Sequence, residues 1–287
     1  MTNSVTTIGV VGAGTMGAGI SLAAAASGFD VQLIDATDEF VDRGLARIGA
    51  DLDKAVSRGK VNEADRPAIL ARITGSTDYS QLEDCDLVIE AVPETLAIKE
   101  PVLAAIAENV AENCIVASNT SSLSIHDLST YVVNPERVVG MHFFNPVSQM
   151  NLVEVISSDS TDPDVVDTVI AVAEAMGKTA VRSADRAGFV VNRILIPMIN
   201  EAILVLEEGV ASAEDIDIAM RLGAAHPMGP LALADLIGLD VVLHILNVME
   251  QSLGEKFAPA NLLSEKVEAG QLGRKTGNGF FSYPGAK

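Results

Sequence analysis

His142 and Glu154 are the only ionisable side chains in "MHFFNPVSQMNLVEV", residues 141–155. An imidazole with a reference pKa of ~6.5 exchanges protons near neutrality, which suits general acid–base work. A carboxylate that accepts from the other ring nitrogen fixes the tautomer and stabilises the imidazolium. Each residue alone also has a structural explanation, as a satisfied core histidine or a solvated strand glutamate. The stretch acquires chemical meaning from what the rest of the chain places beside it.

A second group of residues suits phosphate binding. In "TTIGVVGAGTMGAGISLAAAASG" a β-branched run enters Gly12, Gly14 and Gly17, with Thr15 and Met16 between the last two, and continues into a small-residue helix. The first glycine permits a tight turn, the second lets backbone approach a pyrophosphate, and the third lets helix pack on strand while its N-terminus faces the anion. Asp35 ends the next run, "DVQLID". A carboxylate there accepts from a ribose diol and repels a 2′-phosphate, so the cofactor expected is NAD rather than NADP.

The elements that must position these residues read as strands in "TTIGVV", "DVQLID", "DLVIEAV", "CIVASN", "RVVGMHF", "NLVEVI" and "TAVRS", separated by helical stretches. This alternation predicts an α/β fold, a doubly wound, Rossmann-type, mostly parallel sheet over residues 1–186. A helical insertion at about 37–72 carries Lys54, Arg58 and Lys60. Lys54 and Arg58 share a face if one helix spans both. From Gly188 the pattern turns helical, with "GFVVNRILIPMINEAILVLEEG" expected as one long helix kinked before Pro197. Ser212 is the expected N-cap of "SAEDIDIAMRLG", and residues 187–287 form an all-helical second domain. Ligands of doubly wound sheets bind at the carboxyl ends of the strands. Glu94 and Lys99 follow "DLVIEAV", Ser121 of "TSSLS" follows "CIVASN", and His142 ends "VVGMHF", so four polar groups converge on one sheet edge beside the dinucleotide turn. Ser122 and Ser124 are expected to be helix caps.

Composition narrows the function further. With 19 basic against 39 acidic residues the 287-residue chain carries a formal charge of −20, which disfavours nucleic acid and anionic membrane as partners. An anionic ligand therefore needs a locally basic or dipolar place to bind. No apolar run reaches the ~18 residues of a membrane span, and the start "MTNSVTTIGVV" has neither the charged opening of a secretory signal nor the arginines of a transit peptide. A cytoplasmic protein is expected. Cys85 and Cys114 lack metal-site spacing and are expected as small buried hydrophobes. His126 reads as a capping or surface residue, His226 as part of a turn and His244 as a helical position without an acidic partner. No metal is expected.

"GVVGAGTMGAGI", "SNTSSLSI", "HFFNPV", "LVEVI", "GFVVNRIL", "HPMGPLALADLIGLD" and "GRKTGNGFF", in this order, resemble the L-3-hydroxyacyl-CoA dehydrogenases, most closely the short bacterial 3-hydroxybutyryl-CoA members. The resemblance spans nearly the whole chain. It implies that His142 is the general base or acid and that Glu154 holds it. It implies that Ser121 and Asn192 hydrogen-bond the reacting oxygen and the thioester end of an acyl-CoA substrate. Asn145 of "HFFNPV" and Lys275 of "GRKTGNGFF" are expected at the cofactor together with Glu94, Lys99 and Ser121. The inserted helical pair is expected to carry CoA-binding residues, Lys54 and Arg58 here, and the helical domain a homodimer interface and one wall of the active cleft. Two alternatives stay open. A dehydrogenase of free hydroxy acids relies on a catalytic lysine and an arginine-type carboxylate clamp, neither of which is evident. A non-enzymatic member of the fold would have no need of the base, its carboxylate and the glycine turn together.

Overall fold

The structure, a computed structural model, describes residues 5–284, and the chain parts into two compact units between Arg186 and Ala187. In the first unit the β-branched runs form strands β1 (Thr7–Val11), β2 (Asp30–Ile34), β3 (Ile73–Ser76), β4 (Leu87–Glu90), β5 (Ile115–Ser118), β6 (Val138–Phe143), β7 (Leu152–Ser157) and β8 (Thr179–Ala184). They join in one sheet in the order β3-β2-β1-β4-β5-β6-β7-β8. Every pairing is parallel except β6 with β7. Central strands of a parallel sheet are covered on both faces. Accordingly β4, β5 and β6 are buried at every position.

The crossovers are α1 (Thr15–Ala26), α2 (Asp38–Ser57), α3 (Arg66–Ala71), α4 (Leu96–Asn109), α5 (Ile125–Ser129) and α6 (Pro163–Ala175). Ile20 and Ala24 of α1, Ile48 and Leu52 of α2 and Val169 of α6 share one core with Ile8, Leu33, Ile89 and Val139 of the sheet. Each fully buried aliphatic side chain there contributes roughly 1.5–3 kcal/mol. Because the strands from β1 to β6 run the same way, the turns that leave β1, β2, β4 and β5 and the last residues of β6 all reach one edge of the sheet.

The second unit is built from α7 (Val191–Glu207), α8 (Ala213–Gly223), α9 (Pro230–Ile237), α10 (Leu239–Leu253) and α11 (Asn261–Glu268). Its core includes Ile199, Ile203, Leu231, Leu246 and Leu263. Ser212 caps α8 by accepting from the Asp215 N–H, and Ser124 caps α5 from the Asp127 N–H.

Four expectations are corrected. An eighth strand, β3, forms from "ITGS", a run too short and glycine-broken to read as a strand. The long helix starts at Val191 rather than Gly188, because Gly188 and Phe189 both take positive φ, 81° and 47°. Helix α2 ends at Ser57, so Arg58 is its C-cap residue and does not extend the helical face of Lys54. Ser122 caps no helix and points its donors at Glu94 instead.

Candidate active site

Antiparallel pairing sets His142 of β6 directly opposite Glu154 of β7. Residues opposite each other in such a ladder project from the same face. The His142 Nδ1–H thus meets Glu154 Oε2 at 2.8 Å. A carboxylate can only accept, so this bond assigns the proton to Nδ1 and leaves Nε2 as the basic nitrogen. Glu154 is 0% exposed and His142 6%. The Phe144 ring lies 4.4 Å from the imidazole, tilted by 46°. Low polarity around a buried pair strengthens its hydrogen bond.

Loop 119–122, at the end of β5, is tied to this strand. The Asn119 side-chain oxygen accepts from the Phe143 N–H at 2.9 Å, next to His142. Glu94 Oε1 accepts from the Thr120 hydroxyl at 2.6 Å and from the N–H groups of Ser121 and Ser122 at 2.7 and 3.0 Å. Burial pulls the Glu94 carboxyl upward, but the Lys99 charge and the Thr120 and Ser121 hydrogen bonds outweigh it, and the carboxyl titrates below its ordinary value. The stability this gives is present at neutral pH and is lost as acid lowers the pH through the depressed pKa.

Lys99 is the centre of a buried ion pair. Its ammonium is 1% exposed and donates to both oxygens of Glu90 at 2.8 and 2.9 Å. Glu94 Oε2 lies 3.3 Å from the same nitrogen. Glu90, the last residue of β4, also accepts from the Ser118 hydroxyl directly across the ladder and from the Val92 N–H. Glu90, Ser118, Asn119 and Thr120 escape a reading of the sequence. Only the motif "SNTSS" hints at three of them.

At the other end of the edge, the turn after β1 has the shape a dinucleotide needs. Gly12 takes φ +108°, and a Cβ there would sit 2.7 Å from the Ala91 carbonyl oxygen. A Cβ on Gly17 would lie 1.7 Å from the Gly12 carbonyl oxygen, so helix and turn touch backbone to backbone. Gly14 faces open space and is the N-cap of α1. Thr15 and Met16 open that helix, which has no side-chain cap and no acidic residue in its first turn, leaving its N–H dipoles to an anion. Asp35 follows β2 immediately. Its Oδ2 accepts from the Ala13 N–H and its Oδ1 from the Ala36 N–H, both at 2.6 Å, which holds the carboxylate beside the turn. These residues fit the pyrophosphate and adenosine ribose of NAD.

Asn145 is exposed and precedes Pro146 through a cis bond. Lys54 is exposed on α2 and paired with Asp51 at 2.9 Å. Arg58 and Lys60 are exposed just beyond that helix. In the second unit Asn192 is buried in the first turn of α7, and Lys275 donates to Asp240 in the first turn of α10. Lys178, which no sequence motif marks, holds the loop after β6 by donating to the carbonyls of Val147 and Met150. Burial pushes the thiols of Cys85 and Cys114 up to about 12, which makes them inert at neutral pH. His126 and His244 are exposed, and His226 lies in the segment between α8 and α9. Among the described residues no single helix is long and apolar enough to cross a membrane.

Residues 7–186 match the profile of the 3-hydroxyacyl-CoA dehydrogenase NAD binding domain, and residues 188–283 that of the 3-hydroxyacyl-CoA dehydrogenase C-terminal domain. The chain is 48% identical over 277 residues to a 3-hydroxybutyryl-CoA dehydrogenase of Clostridioides difficile, covering 96% of this chain and 99% of that one. It is 46% identical over 281 residues to a 3-hydroxybutyryl-CoA dehydrogenase of Bradyrhizobium diazoefficiens, covering 98% and 96%. Among solved structures, the (S)-3-hydroxybutyryl-CoA dehydrogenase of Ralstonia eutropha superposes with a TM-score of 0.95 at 48% identity, over 98% of this chain and 99% of that one.

Proposed function

The chain belongs to the 3-hydroxyacyl-CoA dehydrogenase family, and we propose on that footing that it interconverts 3-hydroxybutyryl-CoA and acetoacetyl-CoA with NAD(H). The observation that carries the reading is the buried His142–Glu154 pair on the sheet edge that also bears the dinucleotide turn. Bound NAD supplies the acceptor for the hydride that leaves carbon 3. His142 takes the proton of the 3-hydroxyl at Nε2 while Glu154 keeps Nδ1–H and steadies the imidazolium. In the opposite direction the same Nε2 returns the proton to the 3-oxo oxygen. Ser121 hydrogen-bonds that oxygen, and Asn192 is assigned the same kind of contact by the family resemblance. The test follows NADH absorbance with acetoacetyl-CoA and, separately, with free acetoacetate. Oxidation of NADH is expected with the thioester only, and turnover of the free acid alone would overturn the assignment.

The cofactor preference rests on Asp35. Asp35→Ala removes the acceptor for the ribose diol and for the Ala13 N–H, and is expected to weaken NAD by about tenfold, the worth of one hydrogen bond to a charged group, while relaxing discrimination against NADP. A wild-type enzyme that used both cofactors equally would remove Asp35 from this role.

Lys54 and Arg58 are the proposed landing place for the CoA phosphates on a chain of net charge −20. Asp51 partly neutralises Lys54, so the effect is modest. Lys54→Ala is expected to raise KM for acetoacetyl-CoA several-fold, leave KM for NADH nearly unchanged, and matter less in high salt as screening weakens the wild-type contact. An equal loss for NADH would exclude Lys54 from the substrate site.

A cytoplasmic homodimer completes the proposal. Ile194, 69% exposed, Leu222, 79% exposed, and the exposed Ile218 and Leu236 give the second unit apolar surface that a second copy would cover. Sedimentation as a monomer at micromolar concentration would refute it.

A further inference from the structure

Between β6 and β7 the chain makes one helical-type turn, in which the Gln149 and Met150 N–H groups donate to the Pro146 carbonyl at 2.9 and 3.0 Å. A turn that does not continue as a helix leaves its later carbonyls without partners. The Lys178 ammonium donates to two of them, those of Val147 at 2.5 Å and Met150 at 3.0 Å. The lysine is itself rigidly mounted. Its N–H donates to the Ala173 carbonyl at the end of α6, and the next N–H, of Thr179, donates to the Asn151 carbonyl just before β7. On its other flank the turn rests on α1, where Val147, 3% exposed, lies over Gly19 in the second turn of the helix. A Cβ on Gly19 would stand 3.0 Å from both Cβ and Cγ2 of Val147, closer than a side chain there allows without a shift of a few tenths of an ångström. Gly19 has an ordinary helical φ, so the position requires the missing side chain and not the conformational freedom of glycine. The turn thus spans the two halves of the site. Phe144, whose ring touches the His142 imidazole, and Asn145 directly precede it, and the helix beneath it is the one whose N-terminus faces the dinucleotide.

We propose that Gly19 and Lys178 are positioning residues for the reaction. They hold the two flanks of the β6–β7 turn, and with it Phe144 and Asn145 beside the base, at a fixed distance from the cofactor helix. The proposal rests on the reading of His142 as the base and of α1 as the dinucleotide helix. Its sharp consequence is that activity and stability part company at Gly19. Alanine favours a helix interior over glycine, which offsets the steric cost of moving Val147, so a single added methyl disturbs the site without weakening the fold.

The test measures kcat, KM, thermal unfolding and amide hydrogen exchange in the full-length protein. Gly19→Ala is expected to lower kcat for acetoacetyl-CoA by about 5-fold to 50-fold, with KM for NADH changed less than about threefold and Tm by less than about 2 °C. Adding Val147→Ala reopens the space, and the double variant is expected to recover kcat at least about threefold over Gly19→Ala alone, a coupling that separate sites would not show. A merely structural role predicts the reverse, since a second substitution that empties a buried site would deepen the loss. Lys178→Met is expected to lower kcat by about 5-fold to 50-fold as well, and to speed exchange of the Gln149 and Met150 amides at least about tenfold while Val139 of β6 stays protected. Wild-type kcat in Gly19→Ala, or no recovery in the double variant, would overturn the proposal. So would a rise in KM for NADH that matches the fall in kcat, since that marks damage to the cofactor site alone. Should Lys178→Met fail to fold, the Gly19 and Val147 variants decide the matter. If the wild-type enzyme left acetoacetyl-CoA untouched, the substrate reading would fall, and exchange at residues 149 and 150 would still decide whether the turn is held.

Discussion

His142→Gln is expected to leave NADH binding within about threefold of wild type and to lower turnover of acetoacetyl-CoA by roughly 10²-fold to 10⁴-fold, the usual worth of a positioned acid or base. Glutamine keeps a donor for Glu154, so the buried carboxylate is not orphaned and the fold survives the change. It has no nitrogen that can hold the transferred proton. Glu154→Gln should lose less, because the imidazole remains and only its tautomer and the stabilisation of its charge are disturbed. Stopped-flow turnover with a separate cofactor titration checks both. A His142→Gln enzyme near wild-type turnover would sink the assignment of the base.

The second large effect concerns stability. Lys99→Met removes the cation that touches Glu90, a carboxylate 0% exposed at the end of a central strand. Breaking a buried pair from one side leaves an uncompensated charge and costs about 3–5 kcal/mol. Denaturant unfolding should show a lower midpoint with an unchanged slope. Adding Glu90→Gln should restore part of the loss by removing the stranded charge. A single-variant penalty under about 1 kcal/mol, typical of an exposed pair, would contradict this picture.

The contrast between His142 and Lys99 marks where a linear reading stops. The histidine sits at the end of a strongly β-branched run, so its place on the sheet edge follows from local pattern, and its partner lies one strand away at the matching alternation. The glycine turn and Asp35 are legible for the same reason, since each is local to a strand end. Lys99 lies in the first turn of α4, where a lysine normally faces water. Its burial depends on Glu90 nine residues earlier and on Ser118 in another strand, and neither spacing nor composition encodes that meeting. A serine shortly before a helix usually caps it, yet Ser122 turns to Glu94 because that carboxylate arrives from a distant part of the chain. The late start of α7 has no sequence signature either, since an aromatic residue such as Phe189 gives no sign of positive φ. Strand β3 is held by its neighbour β2 and by the close fit of Gly75 beneath Val41, because the β-propensity of Ile73 and Thr74 alone is too short a signal to mark a strand.

The direct cross-strand pairing of β6 and β7 also governs how the chain tolerates changes in length. The Gly140–Ile156, Met141–Val155, His142–Glu154 and Phe143–Val153 partners form an unbroken ladder. One residue inserted within either strand would turn every later side chain to the opposite face and send base and carboxylate to different sides of the sheet. Extra residues between the exposed Ser148 and Gln149 fall outside that ladder; they open the turn in which the Gln149 and Met150 N–H groups donate to the Pro146 carbonyl, while Val147, buried against Gly19, and the carbonyls held by Lys178 limit insertion to that junction. For anyone grafting a peptide, a tag or a second domain close to the reacting groups, this hairpin tip is the place where the chain can be lengthened without uncoupling the proton-transfer pair.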